Sequence, residues 1–214
     1  MTQKPSLRES KRQRTHAAIE DHATRLVLER GYEDVTVEDI HQAVGISRRT
    51  FFNYVDSKEI AVMGPAATVP DEAVCEEFLA CSHDDLLGDL MDLLFASLLG
   101  GSLTSSNAGE LLRRRKLILQ ENPLLMAGRF GQSHTVYQAL VDLTQSYLTA
   151  HPQQRQIPDI PLSQEALTII ALLVTAHQLG TRLWMKGTGI TLSSLRYSCH
   201  TALTHLTELQ RTAS

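Results

Sequence analysis

The sequence predicts an all-α protein of about nine helices, with a three-helix helix-turn-helix at the amino end and a larger helical bundle behind it. Apolar residues recur every three or four positions through most of the 214 residues, which is the helical period. Cap residues divide the amino-terminal region into short helices, and no run alternates apolar and polar residues as a half-buried strand does. With 43% hydrophobic residues, the chain can bury a core of this kind.

Local signals set the boundaries of the amino-terminal helices. The first is predicted from near Thr15 to Gly31, on one apolar stripe formed by Ile19, Ala23, Leu26 and Val27. Thr36 with Asp39 three residues later is typical of a capping box, and Ser47 and Ser57 are the expected N-caps of the next two helices. The third helix is predicted from Arg48 to about Val55. Later helices are predicted near 71–81, 84–100, 107–122, 123–150, 163–187 and 191–211.

Charge is distributed unevenly along the chain. The net charge is −4, and residues 61–214 carry 10 basic and 14 acidic groups. Residues 1–14 instead carry Glu9 alone against five basic groups: Lys4, Arg8, Lys11, Arg12 and Arg14. We predict a flexible basic arm over 1–14, the helix-turn-helix domain over 15–62 and a larger helical domain over 63–214. The arm is either a solvated tail or a segment that holds phosphates.

The predicted third helix has one side for the core and one for a ligand. Ile40, Val44 and Ile46 are expected to hold the short helices together, and Phe51 and Val55, four positions apart, face the same core. No acidic residue lies between positions 48 and 55. The opposite side carries donors and acceptors of the kind that reach bases and phosphates in a DNA major groove, namely Arg48, Arg49, Thr50, Asn53 and Tyr54.

Four ordered motifs lie in this region: Thr36-Val37-Glu38-Asp39-Ile40, Gly45-Ile46-Ser47, Thr50-Phe51-Phe52-Asn53-Tyr54-Val55 and Ser57-Lys58-Glu59. Together they resemble the DNA-binding domain of the TetR family of regulators, over residues 12–62. The resemblance implies that Thr36 and Lys58 contact phosphates and that Phe52 and Tyr54 pack on the sugar-phosphate backbone. It also implies that bases or the adjacent backbone are met by Arg48, Arg49, Thr50 and Asn53.

The chain departs from the family pattern at two positions. Phe52 stands where the family commonly has tyrosine, so it lacks the hydroxyl for a phosphate hydrogen bond. His41 stands where a small residue is usual, and its imidazole is bulky enough to open the angle between the second and third helices.

The last two predicted helices favour a homodimer. The helix at 163–187 is apolar nearly all round, which is typical of a helix buried on two sides. The following helix repeats apolar residues at the spacing of a helix-bundle seam, and we predict its dimer contacts at Leu195, Cys199, Ala202 and Leu206. TetR-family members similarly dimerise through their last two helices. The alternative is that both helices belong to the core of one chain.

The larger domain also offers residues for a small-molecule pocket. Eight residues could line an apolar cavity in which the two histidines are polar anchors: Met91, Phe95, Met126, Phe130, His134, Tyr137, His177 and Trp184. The alternative is that these residues belong to the core. The basic run Arg113-Arg114-Arg115-Lys116 sweeps most of a helix circumference, which favours a solvated face. The alternative is contact with an anionic effector or with DNA phosphate.

Other protein classes receive little support from the sequence. Three cysteines without paired spacing argue against a disulfide framework, and no metal site or cofactor is predicted. No secretory leader or membrane span is visible, so a cytoplasmic protein is expected. The sequence predicts a regulator, most readily a repressor, that binds palindromic double-stranded DNA as a homodimer and is released by a small-molecule effector. The alternatives are a nucleoid or cell-division factor of the same fold and a helical enzyme, although no motif of an enzyme is found.

Overall fold

The computed structural model describes residues 6–99 and 107–211. These residues form ten α-helices and one 3-10 helix (Pro152–Gln154) without any strand, so the all-α prediction is confirmed with ten helices rather than about nine. The α-helices are α1 Leu7–Arg30, α2 Val37–Val44, α3 Arg48–Phe52, α4 Lys58–Met63, α5 Glu72–Ala80, α6 Leu86–Leu99, α7 Ala108–Glu121, α8 Pro123–Ala150, α9 Leu162–Lys186 and α10 Leu192–Arg211.

Helix α1 begins at Leu7, not near Thr15. The predicted start of the first helix was therefore wrong, whereas the flexibility of the arm over 1–14 stays a prediction. Residues 1–5 lie outside the described chain. The Ser6 hydroxyl caps the helix by accepting from the backbone N–H of Glu9 at 3.2 Å. The first two turns consist mostly of arginine, lysine, glutamine and glutamate, which have high helix propensity. They form no apolar stripe, so hydrophobic periodicity did not reveal this part of the helix.

The predicted caps of the next three helices are confirmed. Thr36 and Asp39 form a complete capping box, and the hydroxyls of Ser47 and Ser57 accept from backbone N–H groups of the helices they begin. Gly45 ends α2 in the left-handed conformation with φ 76°, which favours glycine at the turn. Helix α3 ends at Phe52, shorter than predicted, and the chain turns at its C-cap Asn53.

The described chain divides into two compact units, and the division falls inside α8, between residues 126 and 127. The first contains residues 6–65 and 107–126, and the second contains residues 66–99 and 127–211. Helix α7 thus belongs to the same unit as α1 to α4, which the sequence did not indicate. The predicted domain boundary after residue 62 stays a prediction.

The first unit has a single apolar core. Ile19 of α1, Ile40 of α2, Phe51 of α3 and Val55 are buried in it, as predicted, together with Ile118 of α7. Helix α1 packs against α2, α4 and α7. Helix α3 packs against α2 with Phe51 in the core, so its opposite side faces outward.

The basic run on α7 is not a solvated face, so that prediction was wrong for its two central arginines. Arg114 and Arg115 are both buried against α1. The Arg115 guanidinium donates to the Glu20 carboxylate at 2.6 Å and to the Val62 carbonyl at 3.0 Å. Arg114 donates to the Asp21 carboxylate at 2.7 Å and to the Thr24 hydroxyl at 2.8 Å. Arg114 and Arg115 are therefore also not available for the alternative roles of the run, which are contact with an anionic effector or with DNA phosphate.

The second unit is organised around α9 and α10. Cys199 and Ala202 of α10 are fully buried within the single chain and Leu195 is 2% exposed, whereas Leu206 is half-buried. The helices approach so closely at Gly180 that a Cβ there would lie 2.5 Å from the Cα of Cys199. The seam predicted for a partner subunit is therefore largely used against α9.

By length and composition, α9 is the one helix among the described residues that passes the test for a membrane span. Nine of its residues, including Ala166, Leu173 and Trp184, are buried inside the fold, and its opposite side exposes Gln178 and Arg182. This is the pattern of a core helix and does not indicate a membrane protein.

Candidate nucleic-acid interface

Helix α3 presents a polar surface because its apolar side is fixed in the core. Phe51 and Val55 are buried, so the opposite side of the turn faces solvent. The structure brings together four of the predicted contact residues as exposed side chains of this surface: Arg48, Arg49, Phe52 and Asn53. Thr50 and Tyr54 are half-buried at its margin.

Aromatic and charged groups are ordered on this surface. Phe52 is 43% exposed and packs edge-on against Phe51, with ring centroids 5.3 Å apart. The Arg48 guanidinium lies 5.8 Å from the Phe52 ring centroid, and one of its nitrogens is 3.9 Å from the Glu38 carboxylate. These contacts keep the Arg48 side chain beside Phe52. Among the described residues, no ion pair is formed by Arg49.

Thr36 is committed to the capping box. Its hydroxyl donates to the Asp39 carboxylate and accepts from the Asp39 N–H at 3.2 Å, and its own N–H donates to the same carboxylate at 2.8 Å. The hydrogen bonds from Thr36 hold the pKa of Asp39 below its usual value. Since a hydroxyl has one proton to donate, a phosphate must compete with Asp39 for the Thr36 side chain.

Lys58 has a partner that the sequence did not reveal. Its ammonium donates to the Tyr32 carbonyl at 2.8 Å and lies 4.1 Å from the centroid of the Tyr32 ring. One of its three N–H donors is thus engaged, which leaves two directions for a phosphate. The partners are 26 positions apart, so no local pattern signals the contact.

His41 is part of the turn between α2 and α3. Its buried imidazole donates from Nδ1 to the Ile46 carbonyl at 3.0 Å, and Nε2 lies 3.3 Å from the Glu38 carboxylate. The ring therefore connects α2 to the residue before the N-cap of α3. A small residue at this position would leave the Ile46 carbonyl without that donor.

The predicted pocket residues have unlike surroundings. Met91 and Trp184 are core residues, and the Trp184 indole N–H donates to the Ser194 hydroxyl at 3.0 Å. Phe95, Tyr137 and His177 are half-buried, whereas Met126, Phe130 and His134 are exposed, Phe130 by 67%. The eight side chains therefore differ in burial, and a pocket formed by them stays a prediction. Within the described residues, no group of three or more acidic, cysteine or histidine side chains could hold a metal ion.

Known transcription regulators are similar to this chain, and a family model matches its amino-terminal region. Residues 19–59 match the family model of bacterial regulatory proteins, tetR family. The chain is 42% identical to the HTH-type transcriptional regulator TcmR of Streptomyces glaucescens over 76 residues, which are 36% of this chain and 31% of TcmR. It is 26% identical over 183 residues, 86% of each chain, to MftR of Mycobacterium tuberculosis, named for the transcriptional regulation of mycofactocin biosynthesis.

A solved structure of GusR from Salmonella enterica is also similar. The likeness covers 90% of this chain and 94% of that one, with 17% sequence identity and a TM-score of 0.45. These values are too low for a helix-by-helix comparison. The family-model match covers α1 from Ile19 onward, α2, α3 and the start of α4.

Proposed function

Because the chain belongs to the TetR family of DNA-binding transcription regulators, we propose that it represses transcription by binding a palindromic operator as a cytoplasmic homodimer and that a small molecule releases it. The observation that carries the DNA-binding part is the exposed surface of α3, with Arg49 and Asn53 opposite a side fixed in the core. Arginine and asparagine each form bidentate hydrogen bonds with base edges in the major groove. The TetR family is not an enzyme family, and no catalytic role is proposed.

We expect a dimer because a single helix-turn-helix unit binds DNA with low affinity. A single helix-turn-helix makes few contacts, whereas two copies held on a dyad bind neighbouring half-sites at high effective concentration. Exposed apolar side chains on α9 and α10, among them Leu167 and Tyr197, support a subunit interface on those helices. The interface proposed here uses these outer faces, since Leu195, Cys199 and Ala202 are already covered.

The first experiment selects binding sites from a random DNA pool with the full chain and then compares variants on the selected site. Asn53→Ala and Arg49→Ala should each reduce affinity by about 1–3 kcal/mol and relax the preference at one base position. Gln138→Ala, an exposed polar change on α8, is the matched control and should have no effect. If both α3 variants keep the wild-type affinity and site, α3 does not read bases.

The effector part has a separate optical test. Trp184 is the only tryptophan, and its hydrogen bond to Ser194 joins α9 to α10, so its fluorescence reports on that contact. A ligand changes DNA affinity only if it binds the two conformations unequally, and 1–3 kcal/mol is a usual coupling. A broad ligand screen that alters neither the emission nor the operator affinity would contradict a sensor role.

The selection experiment also tests the alternative function. If no discrete site is selected from the random DNA pool, a nucleoid or cell-division factor is favoured.

A further inference from the structure

The first turns of α1 carry basic side chains that the α3 surface does not include. In the described part of the chain, none of four residues forms an ion pair with a carboxylate: Arg8, Lys11, Arg12 and Arg14. Farther along the same helix the pattern differs, because Arg25 pairs with Asp21 at 3.2 Å and Arg30 pairs with Asp39 at 3.3 Å. The first turns of α1 therefore carry four cations against a single carboxylate, Glu9, on a chain whose net charge is −4.

Helical geometry places these cations on a defined side of α1. Counting back from the buried Ile19 in steps of about four and three positions leads to Thr15, Arg12 and Arg8. The side of α1 that enters the core thus continues beyond the core as a basic side. It remains next to α2 and α3 and does not turn away from them.

Two clefts lie between this basic side and the helix-turn-helix. One, of about 330 Å³, is lined from α1 by Arg8, Lys11 and Arg12 and from the end of α3 by Thr50, Asn53 and Tyr54. The other, of about 610 Å³, places Lys11 and Arg14 opposite Val44 and Ile46. Asn53, which the proposed function assigns to base reading, therefore shares a concave surface with three cations of another helix.

We propose that the first two turns of α1 bind the phosphodiester backbone of the same duplex whose bases α3 contacts. The inference rests on the proposed function for the identity of the duplex. Its chemistry is that of a polyanion in a groove lined with cations, continuous with the α3 surface. Because these cations stand on a formed helix, ordering them on DNA costs less entropy than ordering a flexible arm.

The test uses the double variant Arg8→Gln, Arg12→Gln. Its affinity for the selected site and for an unrelated duplex is compared with that of the wild type. Glutamine keeps the helix propensity but removes the charge. Each lost phosphate contact should lower the slope of log affinity against log salt by about 0.9. The double variant loses two such contacts per subunit, so its slope should be lower by about 2 per subunit. Between 50 and 200 mM salt, the wild type should lose roughly tenfold more affinity per subunit than the variant on either DNA.

The matched control, Arg25→Gln with Arg113→Gln, removes one exposed and one half-buried charge from the same unit outside both clefts and should keep the wild-type slope. Arg8→Lys with Arg12→Lys should restore it, which separates loss of charge from loss of helix. A glutamine variant with the wild-type slope on both duplexes overturns the inference while leaving selection of a site by the wild type intact. A changed base preference in that variant also overturns it, because phosphate contacts carry no sequence information.

Discussion

The ion pair between Glu20 and Arg115 is buried on both sides. Burial by itself raises the pKa of Glu20, but the hydrogen bond from His16 and the charge of Arg115 outweigh it and lower the pKa below the ordinary 4.5. The folded chain therefore binds this proton less tightly than the unfolded chain. Its contribution to stability is complete above the unfolded value and is lost as the pH falls through the lower folded value.

Glu20→Gln should destabilise the protein at pH 7 by about 3 kcal/mol or more, because it leaves the Arg115 charge buried without its partner. The difference from the wild type should shrink as the pH falls below 4.5, since the wild type then loses the same interaction. Urea unfolding at a series of pH values measures both effects. Glu29→Gln, exposed on the same helix, is the control and should change stability little. An equal loss at every pH would show that the Glu20 charge is not involved.

Among the elements, α9 and α10 pack closely against each other at Gly180. A Cβ at this position would meet backbone atoms of Ser198 and Cys199 at 2.5–2.7 Å, and backbone cannot move aside as a flexible side chain can. The glycine therefore sets the separation of the two helices.

Gly180→Ala should force α9 and α10 apart and destabilise the fold by about 1–3 kcal/mol, the usual cost of overpacking. Gly128→Ala on α8 makes the same chemical change where nothing lies within 4 Å of the new Cβ. This control should be neutral or stabilising by up to ~1 kcal/mol, since alanine favours helix over glycine. Thermal unfolding of the two variants gives the comparison, and equal melting temperatures would disprove the close approach.

Sequence reasoning succeeded for elements whose signals are local. The caps Thr36, Ser47 and Ser57, and the buried side of α3, depend on residues three or four positions apart. It failed for α7, because its arginines meet partners about 95 positions away, and a basic run alone does not show where its counter-charges lie. The acidic neighbours Glu20 and Asp21 beside an apolar stripe were the available signal. The roles of the α3 side chains on DNA stay predictions.

At the scale of the whole molecule, the proposed dimer depends on what each chain leaves uncovered. Leu167 of α9 is 57% exposed and Tyr197 of α10 is 74% exposed, whereas the seam residue Leu195 is in the core. A charge at the seam is therefore expected to unfold the chain, and a charge on the outer faces to separate the subunits.

Leu167→Glu combined with Tyr197→Glu should give a helical monomer by light scattering and circular dichroism, with a steep loss of operator affinity and persistent weak, salt-sensitive DNA binding. Leu195→Asp combined with Leu206→Asp should lose helical signal and melt at a lower temperature, because Leu195 is buried within one chain. If the outer-face variant stays dimeric with full affinity, the interface lies on other helices.

The chain completes its amino-terminal unit with a segment taken from its middle, the helix α7. A DNA-binding unit formed by one continuous stretch of sequence can be exchanged between regulators with a single junction. Here a graft that ends near residue 65 would leave the core without Ile118 and Glu20 without Arg115. A working chimera therefore needs residues 107–126 from the same parent as residues 6–65, which adds two further junctions.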